Sequence, residues 1–190
     1  MNFSATVNCF KLIFNPKLCY PQLQISTFSE LPVLKMKNEL NIKAVVLDKD
    51  NCFAFPYENH VWPEYAKTWE LLKEHYPPET SLLIVSNSAG TNDDPGLLNL
   101  QEVEKSTGVP VLKHSTKKPG CHEEILDYFI KQRQICQSPR EIAIVGDRLF
   151  TDIIMANTMK SYGIYVKDGV KISNSPIVNF EKRLFDLLKV

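Results

Sequence analysis

Two carboxylates, Asp48 and Asp50, stand two residues apart directly after the apolar run formed by residues 44–47. A short apolar run rich in valine is typical of a strand that is buried on both faces of a parallel sheet. Open α/β sheets bind their ligands beyond the carboxyl ends of the strands. The spacing therefore predicts a nucleophile and metal site at that edge, although a strand followed by an ordinary turn has the same pattern.

Three later stretches also place polar side chains beside predicted strands or in a crossover loop. They are Ser86 with Asn87, Lys117 with Lys118, and Asp147 with Asp152. Each stretch alone also fits a turn or a solvated loop. The order of the four stretches and their positions at strand ends together indicate one site.

Segments with strand character alternate with segments of helical character after residue 40. Strands are predicted at residues 43–47, 81–86, 109–112, 141–145 and 163–166. Helices are predicted at residues 64–76, 97–106, 121–134, 152–160 and 175–189, with Thr151 as the N-cap of the fourth. This alternation predicts an α/β fold, a Rossmann-like doubly wound parallel sheet of about five strands with helices on both faces.

The composition limits the class of protein. The chain has 190 residues with no net charge, which predicts one domain plus an extension and argues against a nucleic-acid-binding protein. Its five cysteines are widely spaced and form no CxxC motif, which indicates reduced thiols inside a cell. No apolar run approaches the roughly 20 residues that a membrane-spanning helix needs.

Residues 1–40 differ from the rest of the chain. Up to Lys37 they contain four lysines, one acid and many hydroxyl and large apolar side chains, and residues 3–14 suit a basic amphipathic helix. This composition indicates a targeting or membrane-contacting extension before a domain at residues 41–190. The absence of arginine favours the alternative, an ordinary N-terminal arm, and residues 31–40 suit a helix that packs on the domain.

The four stretches together resemble the motifs of the haloacid dehalogenase-type phosphatases. That family carries DxDx[TV], a Ser or Thr at a strand end, a Lys that often precedes Pro, and GDxxxxD. The corresponding residues here are Asp48 to Cys52, Ser86, Lys118 before Pro119, and Asp147 after Gly146 with Asp152. The resemblance covers about residues 42–166.

This resemblance implies a role for each carboxylate. Asp48 would be the nucleophile that forms an aspartyl-phosphate, and Asp50 the general acid and base. Mg²⁺ would bind to Asp48, to the main-chain carbonyl of Asp50 and to Asp147, with Asp152 as a supporting carboxylate. The phosphoryl oxygens would be bound by Ser86, by the amide of Asn87 and by Lys118.

The motif spacing argues against a large cap domain over the site. Only 37 residues separate Asp48 from Ser86, and 31 separate Ser86 from Lys118. The predicted helices and strands account for both intervals. An open site of this kind suits a protein, a nucleic-acid end or a lipid head group, and some cap-less relatives accept small sugar phosphates.

Four stretches resemble the fungal mitochondrial phosphatidylglycerophosphate phosphatases, which have plant and bacterial relatives. They are LDKDNC at 47–52, VSNSAG at 85–90, KKPGC at 117–121 and GDRLFTD at 146–152. That resemblance implies hydrolysis of phosphatidylglycerophosphate on the route to cardiolipin, by a peripheral enzyme on the matrix side of the inner membrane. Arg148 and Lys49 are candidates for the second phosphate of this lipid and equally for surface charges. Four aromatic residues are expected either to touch lipid or to pack locally: Phe53, Phe55, Tyr57 and Trp62.

Two other classes of function stay open. One is a soluble phosphatase that acts on a sugar or polyol phosphate. The other is a non-catalytic membrane-associated scaffold, which would not need the acidic and basic residues of the four motifs. The sequence leaves the oligomeric state open, including a homo-oligomer.

Overall fold

A computed structural model of the chain describes residues 15–173 and 175–188. Over these residues, five strands form one parallel sheet in the order β1-β5-β4-β2-β3. The strands are β1 (Leu23–Ile25), β2 (Ala44–Leu47), β3 (Leu82–Ile84), β4 (Ile142–Gly146) and β5 (Tyr162–Val166).

Helices connect and flank these strands. They are α1 (Val33–Asn38), α2 (Ala66–His75), α3 (Pro78–Ser81), α4 (Leu98–Thr107), α5 (His122–Leu126), α6 (Ile154–Met159) and α7 (Pro176–Leu188). A 3₁₀ turn, Pro63–Tyr65, leads into α2, and π-helical turns at Asp127–Gln132 and Leu149–Ile153 extend α5 and precede α6. Within the described ranges, no helix has both the length and the hydrophobicity to cross a bilayer.

The two faces of the sheet pack against different helices. Along β2, Val45 and Leu47 belong to a core with side chains of α1 and α2, whereas Ala44 and Val46 belong to a core with side chains of α5 and α6. Alternate residues of a strand point to opposite faces, so an unbroken apolar run needs helices on both sides. The predicted doubly wound α/β fold, without a large cap, is confirmed.

The sheet includes a strand that the sequence pattern did not predict. Strand β1 pairs with β5, with Leu23 opposite Ile164, although it lies inside the segment predicted to be an extension. Phe28 and Met36 of the same segment are fully buried in the core, and α1 is the expected lead-in helix. Residues 15–40 are therefore part of the domain, while the helix predicted at residues 3–14 lies outside the described residues.

The strand predicted at residues 109–112 is reduced to a single bridge. Val111 bridges to Ile84 through two backbone hydrogen bonds, in which the Ile84 N–H donates to the Pro110 carbonyl and the Leu112 N–H donates to the Ile84 carbonyl. Pro110 has no N–H to contribute to a ladder. The chain then leaves the edge of the sheet, and the backbone N–H of His114 donates to the carbonyl of Gly90 (2.9 Å).

The predicted cap at Thr151 is wrong, because this residue lies inside the π-helical turn Leu149–Ile153. The residue at the N-cap of that turn is Arg148, and its backbone N–H has no partner inside the turn's own hydrogen bonds. It donates instead to Oδ2 of Asp152, at 3.1 Å. The Asp152 carboxylate therefore caps the turn with Oδ2, while its Oδ1 binds Lys118 at the edge of the sheet.

The loop between β3 and α4 is held by a buried carboxylate, Asp94. Its Oδ2 accepts the backbone N–H groups of Gly90 and Leu100, and its Oδ1 accepts that of Asn99, each at 3.0 Å. Burial alone would raise the pKa of Asp94, but these three donors favour the ionised form and lower the pKa below its usual value. Asp94 therefore fixes the loop that begins with Ser86 and Asn87.

We expect Asp94→Asn to lower the free energy of unfolding by about 1–2 kcal/mol at neutral pH, since the new NH₂ group would face backbone donors. A carboxylate with a lowered pKa stabilises the fold above its unfolded pKa and loses that effect as the pH falls through its folded pKa. The difference from wild type should therefore shrink below about pH 4. Urea unfolding across this range measures it.

The matched control is Asp93→Asn, which alters the adjacent, exposed carboxylate that pairs with Lys117. An exposed ion pair contributes only about 0–1 kcal/mol, so this variant should stay close to wild type. Equal losses in the two variants, or a loss in Asp94→Asn that does not depend on pH, would contradict the assigned role of Asp94.

Candidate active site

The carboxyl edge of the sheet brings the predicted acidic residues together. Asp48 directly follows β2 and Asp147 directly follows the neighbouring strand β4, and the Asp48 N–H bonds to the Val145 carbonyl (2.9 Å). Both side chains are buried although they end strands. The parallel register thus fixes where the two carboxylates meet.

A third carboxylate, Asp152, completes this cluster. One ligand atom each from Asp48, Asp147 and Asp152 lie within 4.8 Å of one another. Gly146 makes room for it, since a Cβ at that position would lie 2.3 Å from Cγ of Asp152. We refer to these three residues as the carboxylate cluster.

Lys118 is the positive charge of the cluster. Its buried ammonium donates to Oδ1 of Asp48 and, at 2.7 Å, to Oδ1 of Asp152. The backbone N–H of Lys118 donates to Oδ1 of Asn87 (2.9 Å), and the Lys118–Pro119 peptide is cis. The Asn87 side chain therefore positions the loop of Lys118, whereas Lys117 pairs with Asp93 at the surface.

The cluster has more negative than positive charge. With all three carboxylates ionised, three negative charges face the one positive charge of Lys118, an excess of two. Burial raises the pKa of Asp48 to about 7 against the opposing effect of Lys118, with help from Asp152. Burial, Asp48 and Asp152 raise the pKa of Asp147 well above its usual value. Three carboxylates with this excess are a donor set that fits a hard divalent cation.

The environment of Asp50 favours the ionised carboxylate, unlike that of Asp48 and Asp147. Its Oδ1 accepts from the Lys49 ammonium (2.7 Å) and the Tyr57 N–H (2.9 Å), and its Oδ2 accepts from the Ser88 hydroxyl (2.5 Å). Burial would raise the pKa of Asp50, but Lys49 and these hydrogen bonds lower it. Asp50 is thus ionised and held in one orientation beside the cluster.

Lys49 is neither a surface charge nor a ligand for a second phosphate. Its side chain is fully buried, and its ammonium donates to Asp50 and to the Glu58 carbonyl (2.8 Å). Lysine usually indicates a solvated residue, and the pattern around Lys49 gave no sign that its charge would be paired inside. Its position ties the loop after β2 to the Asp50 carboxylate.

Residues after β3 form a second hydrogen-bonded group. Ser86 is fully buried, and its hydroxyl accepts the Ser88 N–H (3.1 Å) and lies 3.4 Å from Oδ2 of Asp50. The two ring nitrogens of His114 lie 3.0 Å from the Ser86 carbonyl and 2.9 Å from the Thr116 carbonyl. The sequence pattern singled out neither Ser88 nor His114, because each is an isolated polar residue in a loop.

A pocket of about 450 Å³ opens above these groups. Its floor includes Asp48, Asp50, Asp147 and Lys118, and its wall comes from two segments, one around Tyr57 and one running from Lys171 to Val178. Arg148 also lines it, but its guanidinium is bound to the buried Glu181 of α7, with Nε 3.1 and 3.2 Å from the two carboxylate oxygens. The guanidinium thus fastens α7 to the edge of the sheet.

The four aromatic residues expected at the lipid surface have different positions. Phe53 is fully buried in the core, with its ring centroid 4.8 Å from that of Trp69, so a lipid contact for Phe53 is wrong. Phe55 and Trp62 pack on each other and are half-buried. Tyr57 alone is almost fully exposed, and it lines the pocket.

Comparisons with known proteins show the family of the chain. A family model described as mitochondrial PGP phosphatase matches residues 3–171. The chain is 53% identical over 188 residues, 99% of each chain, to the mitochondrial phosphatidylglycerophosphatase GEP4 of Saccharomyces cerevisiae. It is 32% identical over 181 residues, 91% of this chain and 86% of the relative, to a probable mitochondrial phosphatidylglycerophosphatase of Schizosaccharomyces pombe. No solved structure matches.

The fold, the site and these relatives define the protein as a phosphatase, an enzyme that hydrolyses phosphoric monoesters. The chain belongs to the family of mitochondrial PGP phosphatases.

We expect Asp147→Asn to raise the free energy of unfolding by at least about 1 kcal/mol near pH 8 in EDTA, since it removes a buried charge beside two like charges. An acid with a raised folded pKa destabilises the fold as the pH rises above its unfolded value. The gain should therefore be smaller near about pH 5. Urea unfolding at the two pH values measures it.

The matched variant Lys118→Met should have the opposite effect. It removes the cation of the same cluster and should cost about 3–5 kcal/mol, since it leaves buried carboxylates without a partner. A loss of stability in Asp147→Asn, or no loss in Lys118→Met, would show that charge repulsion does not govern this cluster.

Proposed function

We propose that the protein is a Mg²⁺-dependent phosphatidylglycerophosphatase of the haloacid dehalogenase type. It would hydrolyse phosphatidylglycerophosphate to phosphatidylglycerol and phosphate, for cardiolipin synthesis. The main support is the buried group of Asp48, Asp147, Asp152 and Lys118 at the base of an open pocket. The choice of substrate rests on the names of the relatives.

Asp48 is the proposed nucleophile. Its carboxylate would attack phosphorus while the bond to the glycerol oxygen breaks, and an aspartyl-phosphate would form. Lys118 already contacts Oδ1 of Asp48, so its charge is in place to compensate the phosphoryl oxygens. The amide of Asn87 at the pocket wall is the proposed second donor, and phosphate binding by the buried Ser86 stays a prediction.

Mg²⁺ is the proposed cofactor, held by Asp48, Asp147 and the main-chain carbonyl of Asp50, with Asp152 in support. The three carboxylate groups, with ligand atoms within 4.8 Å of one another, are the observation that favours a divalent ion. When bound, the ion would neutralise the phosphate charge that otherwise repels a carboxylate nucleophile.

Asp50 is the proposed general acid and base. It would take up a proton when the anionic substrate binds, give that proton to the leaving glycerol oxygen, and later take one from the water that hydrolyses the aspartyl-phosphate. Lys49, Ser88 and the Tyr57 amide hold the carboxylate in place, so it needs little rearrangement between the two steps. The charged lysine also compensates Asp50 when it is ionised.

The relatives are named as mitochondrial proteins, and we propose the same location for this one, as a peripheral enzyme on the matrix side of the inner membrane. The basic composition of residues 1–40 supports targeting or membrane contact. The homo-oligomer likewise stays a prediction.

The deciding experiment is phosphate release by wild type and Asp48→Asn in mixed micelles of phosphatidylglycerophosphate, with Mg²⁺ or with EDTA. We expect release that needs Mg²⁺ and falls at least about a thousandfold in the variant, because the nucleophile is removed. Asp93→Asn, an exposed carboxylate outside the pocket, is the control and should keep full activity.

Glycerol 3-phosphate and an aryl phosphate form the other arms of this experiment. Turnover of the polyol phosphate far above that of the lipid would replace the lipid with a small soluble substrate. If folded wild type released phosphate from none of the three, a non-catalytic scaffold would be favoured.

We expect Lys49→Met to lower kcat by about 10- to 100-fold with little change in KM, because Asp50 loses the donor that orients it while the phosphate-binding groups remain. Steady-state kinetics on the same micelles measures both constants. Lys117→Met, which removes a half-buried lysine that pairs with Asp93 at the surface, is the control. A similar loss in both variants, or a change confined to KM, would rule out a positioning role for Lys49.

A further inference from the structure

Most of the exposed large apolar side chains of the described residues lie in or next to the two segments that line the pocket. Six large apolar residues are exposed there and elsewhere: Leu34, Tyr57, Leu98, Ile172, Ile177 and Phe180. Tyr57, Ile172 and Ile177 lie in the two segments that form the pocket wall, with exposed fractions of 91%, 74% and 62%. Phe180, which is 58% exposed, lies on α7 two residues beyond the second segment. We call these four residues the apolar rim. Contiguous exposed apolar residues commonly mark an interaction surface.

The two segments of the apolar rim are joined to each other. The backbone N–H of Lys171 donates to Oδ1 of Asn51 (2.9 Å), and that of Val170 donates to the Asn51 carbonyl (3.2 Å). The Lys171 ammonium lies 5.4 Å from the centre of the Phe55 ring. The rim is therefore fixed to the loop that carries Asp50.

Helix α7 presents two distinct faces at this rim. Val178, Glu181 and Phe185 are buried on its inner face, where Arg148 binds Glu181. Ile177 and Phe180, three residues apart and therefore neighbours on a helix surface, are exposed. Packing of the inner face thus leaves the exposed residues directed away from the sheet.

The segment that carries three of the four rim residues has a net positive charge. Residues 171–183 include three basic residues, Lys171, Lys182 and Arg183, and one acid, Glu181. Glu181 is already neutralised by Arg148, and Lys171 is exposed and lines the pocket. An apolar surface bordered by basic residues is complementary to an anionic lipid surface.

We infer that the apolar rim docks on an anionic phospholipid bilayer, with Lys171 toward the head groups. This inference rests on the proposed function, because a phosphatase of a membrane lipid must bring its pocket to the head-group plane. Ile172, Ile177 and Phe180 would enter the boundary between head groups and acyl chains, where Tyr57 also has a favourable position. The pocket mouth would then face the phosphate that it hydrolyses.

The test uses the double variant Ile172→Ser/Phe180→Ser, two rim residues that do not line the pocket. Its binding is measured by co-sedimentation with vesicles of phosphatidylcholine alone or mixed with phosphatidylglycerol. We expect wild type to prefer the anionic vesicles and the variant to bind them at least about tenfold more weakly. Leu34→Ser/Leu98→Ser removes two exposed apolar residues away from the pocket and should bind as wild type does.

A soluble short-chain phosphatidylglycerophosphate, used below the concentration at which it forms micelles, separates docking from chemistry. The rim variant should hydrolyse it with wild-type kcat/KM but should lose about tenfold on the long-chain lipid in vesicles. Wild type that fails on the soluble substrate would overturn the proposed function. A folded rim variant that still binds vesicles fully would overturn the docking face alone.

Light scattering of the same variants tests whether a second copy of the chain, rather than a membrane, covers the apolar rim. If wild type is an oligomer, the rim variant is a monomer and vesicle binding is unchanged, this face is an interface between copies and the membrane assignment is overturned. An unchanged oligomeric state together with lost vesicle binding supports the lipid surface.

Discussion

The bond between the Lys118 ammonium and the carboxylates of Asp48 and Asp152 is the contact on which the site depends. Several buried carboxylates at one strand edge repel one another, and burial strengthens the repulsion. One lysine offsets part of that cost, and the remaining negative charge is what makes the edge able to hold a cation. The same arrangement is poor for stability in isolation, which is typical of sites where function is favoured over stability.

Two other buried ion pairs keep that edge in shape without neutralising it. Lys49 binds Asp50, and Arg148 binds Glu181, so each of these two cations is paired with an acid outside the carboxylate cluster. The pairs also connect distant parts of the chain, since one holds the loop after β2 and the other holds α7. A buried pair requires both partners, so each is a specific tie between the elements that it joins.

Sequence patterns predicted the central strands and the acids that follow them, because buried parallel strands read as apolar runs and motif carboxylates come directly after them. They missed β1, whose three residues are too short to show a period, and gave a full strand to residues 109–112, where Pro110 limits the pairing. The sequence patterns likewise did not predict which single polar residues are buried. Lys49 and Asp94 became informative only when the structure supplied their partners.

The side-chain amide of Asn51 has a donor end and an acceptor end, and both are in use. Its nitrogen donates to Oδ2 of Asp147 (3.0 Å), and its oxygen accepts the backbone N–H of Lys171. A flip of the amide would break both bonds at once, so its orientation is set from two sides. Asn51 thereby couples the acid of the carboxylate cluster to the wall of the pocket, and thermodynamic linkage makes such coupling reciprocal. An event that shifts the wall acts on Asp147, and one that shifts Asp147 acts on the wall.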